Sequence, residues 1–324
     1  MNTLLTSPAL YYLHYGSIAS LIILPSLGVG RAQGLMTTTT INQQEHQPGI
    51  FSRLQTILYI GLGINETASL LGTLVGLLLI TSVTLTYPYQ AFITLGIAFA
   101  VAVPGLLVSI YAAPAAANAF EAIARQPRSY RKILMLFIIT QSVIQAPVIL
   151  GLLIGIILTS MYTTCDSLPL ALKYCASGLT MGISAIGVTF GLGKFMKTVC
   201  YALGINNSIH AIIVPFLLVS QTLIETPILF AFIISLIMIL THGVILNTAM
   251  SLIFFASAIA MGLTTINTGL SSSKTASAAC LQIAQTPNSH HIISRTCMLS
   301  QTMIDICMIF GFIISILMIV NFFM

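Results

Sequence analysis

Eight apolar runs, near residues 12–36, 55–81, 90–118, 133–161, 170–195, 208–240, 243–270 and 297–323, are each long enough to cross a bilayer. A spanning helix needs about 20 such residues. No water in the hydrocarbon core can satisfy backbone N–H and C=O groups, so a segment that crosses it is restricted to a helix or a closed barrel. Unbroken apolar runs of this length read as helices. The composition agrees: 57% of the residues are hydrophobic, 5% are charged and the mean hydropathy is +1.03, values that exclude a soluble globule of 324 residues. The expected fold class is an all-α membrane protein with eight transmembrane helices. No basic segment precedes the first run, so a cleaved signal peptide is not expected.

Charge placement gives an orientation. Ten of the eleven basic residues lie in or beside four polar connections, each joining an odd span to the next even one. They are Arg31 and Arg53; Arg125, Arg128, Arg131 and Lys132; Lys194 and Lys197; and Lys274 and Arg295. Only Lys173 falls near the opposite side. The positive-inside rule places the four connections in the cytoplasm and both termini outside. The net charge of +5 therefore reflects topology, and no nucleic-acid partner is read from it. The six cysteines show no CxxC spacing and no grouping with histidines, so no metal site is expected. They read as small apolar side chains, and a Cys165–Cys175 disulfide is not expected. His290 and His291 read as loop residues without assigned chemistry.

A repeat of 79 to 80 residues organises the chain. Each unit is a helix, a polar connection and a second helix, giving four tandem hairpins with boundaries at 1–84, 85–164, 165–243 and 244–324. The second helices read LGINETASLLG from Leu62, QSVIQAPVILG from Gln141, QTLIETPILFA from Gln221 and QTMIDICMIFG from Gln301. Three acids and one amide, Glu66, Gln145, Glu225 and Asp305, share one register in this repeat, 79, 80 and 80 residues apart. Arg53 precedes Glu66 by 13 residues, about 20 Å of helix, which puts the acid near mid-membrane. An ionisable group there costs at least ~2.5–3.5 kcal/mol, so one that recurs in register is a working-site candidate. A carboxyl in this place is expected to be neutral against lipid and ionised only where water or a cation reaches it. It is suited to loading and unloading an ion.

The segment EAIARQPRSYRKIL, Glu121 to Leu134, resembles the polar loop of the rotor-ring proteolipid, the c-subunit, of F-type ATP synthases. Arg125-Gln126-Pro127 matches that family's loop triplet, and Gln145 stands 20 residues after Arg125, where the family has its ion-carrying acid. His46-Gln47-Pro48 precedes Glu66 at the same distance and is a near match; Ile205-Asn206-Asn207 lacks the triplet, and Gln285-Thr286-Pro287 keeps only its proline. An ordinary family member is one hairpin, so four in one chain is a departure. The resemblance implies a concentric two-layer rotor ring built from copies of the chain and rotating in an energy-transducing membrane, such as a bacterial inner membrane. It further implies a stator a-subunit with its arginine and two half-channels, and a central stalk met by the loops at Arg125, Gln126, Pro127, Gln47 and Pro48. Glu66, Glu225 and Asp305 would carry ions, Gln145 would be silent, and the chain would be non-catalytic with no cofactor.

The identity of the ion turns on the oxygen ligands around each acid. Gln33 and Thr67 around Glu66 resemble the sodium-binding members of the family. Thr226 follows Glu225, but Leu192 stands at the first-helix glutamine position, and Asp305 has Ile306 and Ser272 at the two places. The incomplete set favours protons over sodium. Gln141, Gln221 and Gln301, four residues before their carboxyl positions, either hydrogen-bond at the site or line a helix interface. Pro147 and Pro227 are expected to bend their helices. Small residues, among them Gly28, Gly30, the 112–119 segment, Gly178, Gly182, Gly187 and Gly191, suggest a tight inner circle of odd helices, although Gly72 and Gly76 show the pattern on an even one. A secondary transporter fits less well, because the repeats are parallel and each carries its own site. A vacuolar-type rotor proteolipid and a degenerate ring scaffold are the nearer alternatives.

Overall fold

The computed structural model describes residues 8–82, 85–241 and 248–320. The expected hairpin boundaries at 84/85 and 243/244 fall at or within residues outside this set. Nine α-helices are present among the described residues: α1 Pro8–His46, α2 Phe51–Ser82, α3 Ala91–Arg125, α4 Tyr130–Val143, α5 Ala146–Ser160, α6 Leu168–Ile205, α7 His210–Leu240, α8 Thr248–Gln285 and α9 His290–Val320. They make eight spans long and apolar enough to cross a membrane, because α4 and α5 together form the span Pro127–Ser160.

The polar connections are largely helical. α1, α6 and α8 run 39, 38 and 38 residues, well past the apolar runs, and each turns into its partner through a three-residue 3₁₀ segment. Proline causes the turn in three cases. It disfavours the helical region for the residue before it, and Gln47, Gln126 and Thr286 accordingly sit at φ/ψ of −139/78°, −134/69° and −127/73°. The third turn lacks proline but has nearly the same backbone, with Asn206 at −134/101°. There the Asn206 side chain takes over, accepting from the Ser208 N–H at 3.1 Å and the Ser208 hydroxyl at 2.6 Å, an Asx turn.

The first helices of consecutive pairs pack in chain order, α1 on α3, α3 on α6 and α6 on α8, while α2, α4–α5, α7 and α9 pack against them. Close approach depends on missing side chains: a Cβ on Gly178 would overlap the Gly96 carbonyl oxygen of α3, and one on Gly187 would overlap the Ile266 backbone of α8. Gly28, Gly182 and Gly191 sit in similar contacts, whereas Gly30 meets no neighbour within the chain. The spans Pro88–Arg125 and Leu168–Ile205 bury 67% and 78% of their most apolar window, against 39% for Pro8–His46 and 44% for Ser251–Gln285. The chain is thus a row with two uncovered flanks.

A repeated polar contact marks the later pairs. Ser177 and Ser235 each donate to the other's backbone carbonyl, at 3.1 and 2.9 Å, and Ser257 and Ser315 do the same at 3.1 and 3.2 Å. The same register in the earlier pairs holds Ile18 with Gly76 and Ile97 with Gly155, a large residue against none. Lys173, the one basic residue away from the turns, is 1% exposed and donates from Nζ to the Thr241 carbonyl at 2.8 Å. It caps the C-terminus of α7, where the helix dipole favours a cation. All six cysteines are free and five are buried. Burial pushes the Cys165 thiol up to about 11, which makes it a packing residue.

Candidate functional site

The carboxyl register lies halfway along the second helix of each pair. Gln145 and Asp305 are each 7% exposed, Glu225 is half-buried and Glu66 is exposed. One oxygen each of Gln145, Glu225 and Asp305 is buried without a hydrogen-bond partner among the described residues. An unpaired polar atom in so apolar a setting costs about 1–3 kcal/mol, which loading a proton or cation would offset at Glu225 and Asp305 but not at the Gln145 amide.

Cross-pair hydrogen bonds show which way these positions face. Gln145 donates from Nε2 to the Ile64 carbonyl of α2 at 3.4 Å, and Gln301 donates to the Ser220 carbonyl of α7 at 3.3 Å. Each bond reaches back 81 residues, to the second helix of the preceding pair. In the second and fourth pairs the second helix is thus tied to its predecessor at or one turn from the register. Among the described residues no second helix precedes α2, and its acid Glu66 is exposed.

Two of the three glutamines four residues before the register hydrogen-bond to the first helix of their own pair. Gln141 donates to the Ala112 carbonyl at 3.2 Å, and Gln301 donates to the Ser272 hydroxyl at 2.9 Å. Ala112 and Ser272 occupy the register that Gln33 holds in the first pair, where the second-helix glutamine is replaced by Leu62. In the first pair the amide thus stands on the other helix of the pair. Gln221 is buried, and its side-chain oxygen has no partner among the described residues. Thr67 and Thr226 donate their hydroxyl hydrogens within their own helix, to Ile64 at 2.7 Å and Thr222 at 2.9 Å. Their lone pairs stay free, but no continuous ligand shell forms around either acid. No group of three or more His, Cys, Asp or Glu able to hold a metal occurs among the described residues.

The two prolines behave differently. The helix breaks at Ile144–Gln145, where Gln145 N–H bonds the Ser142 carbonyl at 3.3 Å, and restarts with Pro147 in its first turn. α7 continues through Pro227. Thr226 precedes Pro227 and adds its hydroxyl bond to the loosened turn, whereas Ala146 precedes Pro147 and has nothing to add.

At the turns, Arg125 is exposed, pairs with Glu121 at 3.2 Å and lies over the Tyr201 ring at 5.5 Å. Gln126 is already engaged: its Nε2 donates to the Gly204 carbonyl of the next pair at 2.9 Å, and Asn206 repeats the tie to Ala284 at 3.2 Å. Gln47 and Pro48 are exposed and Pro127 is half-buried. One residue at the site escaped the sequence reading. Asn65 is fully buried with neither side-chain atom partnered, at a register occupied by Ile144, Ile224 and Ile304 in the other pairs. That lone polar departure from isoleucine was its available signal.

The family model for the C subunit of ATP synthase matches residues 95–158 and 255–318, the α3–α5 and α8–α9 units. An ATP synthase c-subunit from Exiguobacterium sibiricum is 36% identical over 64 residues, which span 91% of that protein and 20% of this chain.

Proposed function

The chain belongs to the family of the ATP synthase C subunit, and on that footing we propose that it is a four-hairpin rotor subunit of an F-type ATP synthase, carrying ions on Glu66, Glu225 and Asp305. The family's members are non-catalytic membrane rotor proteolipids. The hairpins are 1–84, 85–164, 165–243 and 244–324, and copies of the chain close a two-layer ring with first helices inside.

The observation that supports this reading is the orientation of the second helices, in which Gln145 in the register and Gln301, one turn before Asp305, each reach the preceding second helix. The exposure of Glu66 follows from it. Its missing wall is the α9 face of a second copy, so one of the three ion sites straddles two chains. Each carboxyl takes up an ion from one half-channel of the stator a-subunit, passes lipid in neutral form and meets the stator arginine before release. Gln145 fills its position with an amide of similar size that releases nothing. The incomplete oxygen sets at Glu225 and Asp305 support protons over sodium. The Arg125-Gln126-Pro127 triplet supports the F-type over the vacuolar-type rotor. Exposed Arg125, Gln47 and Pro48, rather than the occupied Gln126 amide, are suited to the central stalk. The basic turns face the cytoplasm and both termini face outward, in a bacterial inner membrane.

A hydrophobic carbodiimide, which attacks protonated carboxyls in apolar surroundings, tests the assignment on the native complex. Adducts at Glu66, Glu225 and Asp305 with loss of ATP-driven pumping are expected, unaffected by sodium. Pumping that survives while none of the three reacts overturns the carrier assignment, and sodium protection at all three overturns the choice of ion.

A further inference from the structure

At the turn end, a cleft of about 590 Å³ opens between the first three pairs, lined by Arg53, Arg128, Arg131 and Lys132 together with Tyr130 and Asn207. Four cations share it, and no carboxylate lines it. The ion pair between Glu121 and Arg125 involves none of the four. The cleft is also preorganised. Arg53 donates from Nη1 to the Pro127 carbonyl at 2.8 Å and lies 5.7 Å above the Tyr130 ring, which fixes its guanidinium at the rim.

The repeat shows that this arrangement is particular to one place. Arg53 and Lys132 share a register, and the positions of Arg128, Arg131 and Lys132 are taken by Ser208, Ala211 and Ile212 in the third pair and by Asn288, His291 and Ile292 in the fourth. Only the junction of the first two pairs assembles four cations, so the cleft occurs once per chain. Its depth is set by helix geometry. Arg131 stands 14 residues before Gln145, about 21 Å from the mid-membrane register. Half of a hydrocarbon core is about 15 Å, so Arg131 lies at headgroup level. On the same face of α4, Met135 and Ile138 follow at four and seven residues and are 61% and 38% exposed.

We propose that this cleft binds the phosphate headgroup of an anionic phospholipid whose acyl chains lie along Met135 and Ile138. Guanidinium groups hold phosphate oxygens in a bidentate fork, and basic pockets between spanning helices suit such headgroups. The apolar strip directly below the cations favours a lipid over free phosphate or an acidic protein segment. The proposal needs only that this end of the helices lies at the bilayer surface, and it stands whether or not the carboxyls carry ions.

Native mass spectrometry of the intact complex, delipidated and then offered phosphatidylglycerol or phosphatidylcholine, tests it. About one phosphatidylglycerol per chain is expected to be retained, with phosphatidylcholine not retained. The triple variant R128Q/R131Q/K132Q is expected to lose affinity on the order of a hundredfold, the factor three basic residues carry at a membrane surface. Arg125→Gln, outside the cleft, is expected to keep the lipid. Equal binding of both lipids, displacement by inorganic phosphate alone, or a triple variant that keeps its lipid while releasing the catalytic sector would each overturn the proposal. Should the variant not assemble, a phosphatidylglycerol with an acyl-chain diazirine on the wild-type complex gives a second reading. Adducts concentrated at Met135 and Ile138 support the site, and adducts spread evenly over α2, α7 and α9 overturn it.

Discussion

Gln145→Glu should convert the second hairpin into a working carrier. The position is prepared for a carboxyl: Gln145 is 7% exposed, the same as Asp305, and its side-chain oxygen is likewise buried without a partner. The substitution preserves size, and a protonated glutamic acid can donate to the Ile64 carbonyl as the amide now does at 3.4 Å. That contact is long, so its loss on ionisation costs no more than about 0.5–1.5 kcal/mol. The carriers per chain would rise from three to four, whatever the number of chains in the ring. The number of ions moved per turn, and hence per ATP, would rise by a factor of 4/3, and the ion-motive force at which synthesis balances hydrolysis would fall to three quarters of its former value. The assay is the balance point itself, measured in liposomes at fixed phosphorylation potential across a series of imposed gradients. A carbodiimide adduct at the introduced carboxyl together with an unmoved balance point would refute the reasoning, because a loaded carboxyl in register would then not be counted by the rotor.

Three further substitutions test the packing that holds the register. Asn65→Ile places at this position the residue found in the other three pairs and removes two unpartnered buried polar atoms, so the purified ring should gain about 1–3 kcal/mol against denaturant, and a loss would show that the amide is satisfied in the assembly. Ser235→Ala removes one side of the exchanged bond with Ser177 and should cost about 0.6–1.7 kcal/mol, while the double change Ser177→Ile with Ser235→Gly recreates the second pair's contact and should recover most of it; the double-mutant cycle is read by thermal unfolding in detergent. Gly178→Val drives a side chain into the Gly96 carbonyl oxygen, so α3 and α6 must part at a cost of about 1–3 kcal/mol or more, seen as loss of assembled ring on native gels.

The parts of this molecule legible in its sequence are those written along a single helix. Span positions follow from hydropathy, and the shared carboxyl register follows from a repeat that holds its spacing from turn to acid, as with Pro127 and Gln145. Even the third turn, without proline, is chemically available in Asn206 and Ser208, since an asparagine can stop a helix by accepting from the residue two ahead. What escapes a sequence reading depends on neighbours. Pro147 and Pro227 stand at one offset, yet only the first breaks its helix, and the visible difference is the hydroxyl that Thr226 has and Ala146 lacks. Glycine spacing cannot say which glycine meets a neighbouring backbone, so Gly28 and Gly30 are alike in sequence although α3 passes against only one of them.

Glu66 shows the same dependence across chains. Its register is that of Gln145 and Asp305, and its helix differs little from theirs, yet it is exposed where they are buried. Nothing local accounts for this. Gln145 itself, and Gln301 one turn before Asp305, are bonded to the second helix of the pair before, and among the described residues no pair precedes the first. A carboxyl that faces lipid is held neutral and ionises only where water or a cation reaches it. In the proposed ring the cover that Glu66 lacks comes from a neighbouring copy. The same reasoning accounts for the lower burial of the spans Pro8–His46 and Ser251–Gln285 relative to the two between them. Both flanks of the row are open, and in the proposed ring the fourth pair of another copy fills the first with the same kind of helix that Gln145 meets through its bond to Ile64.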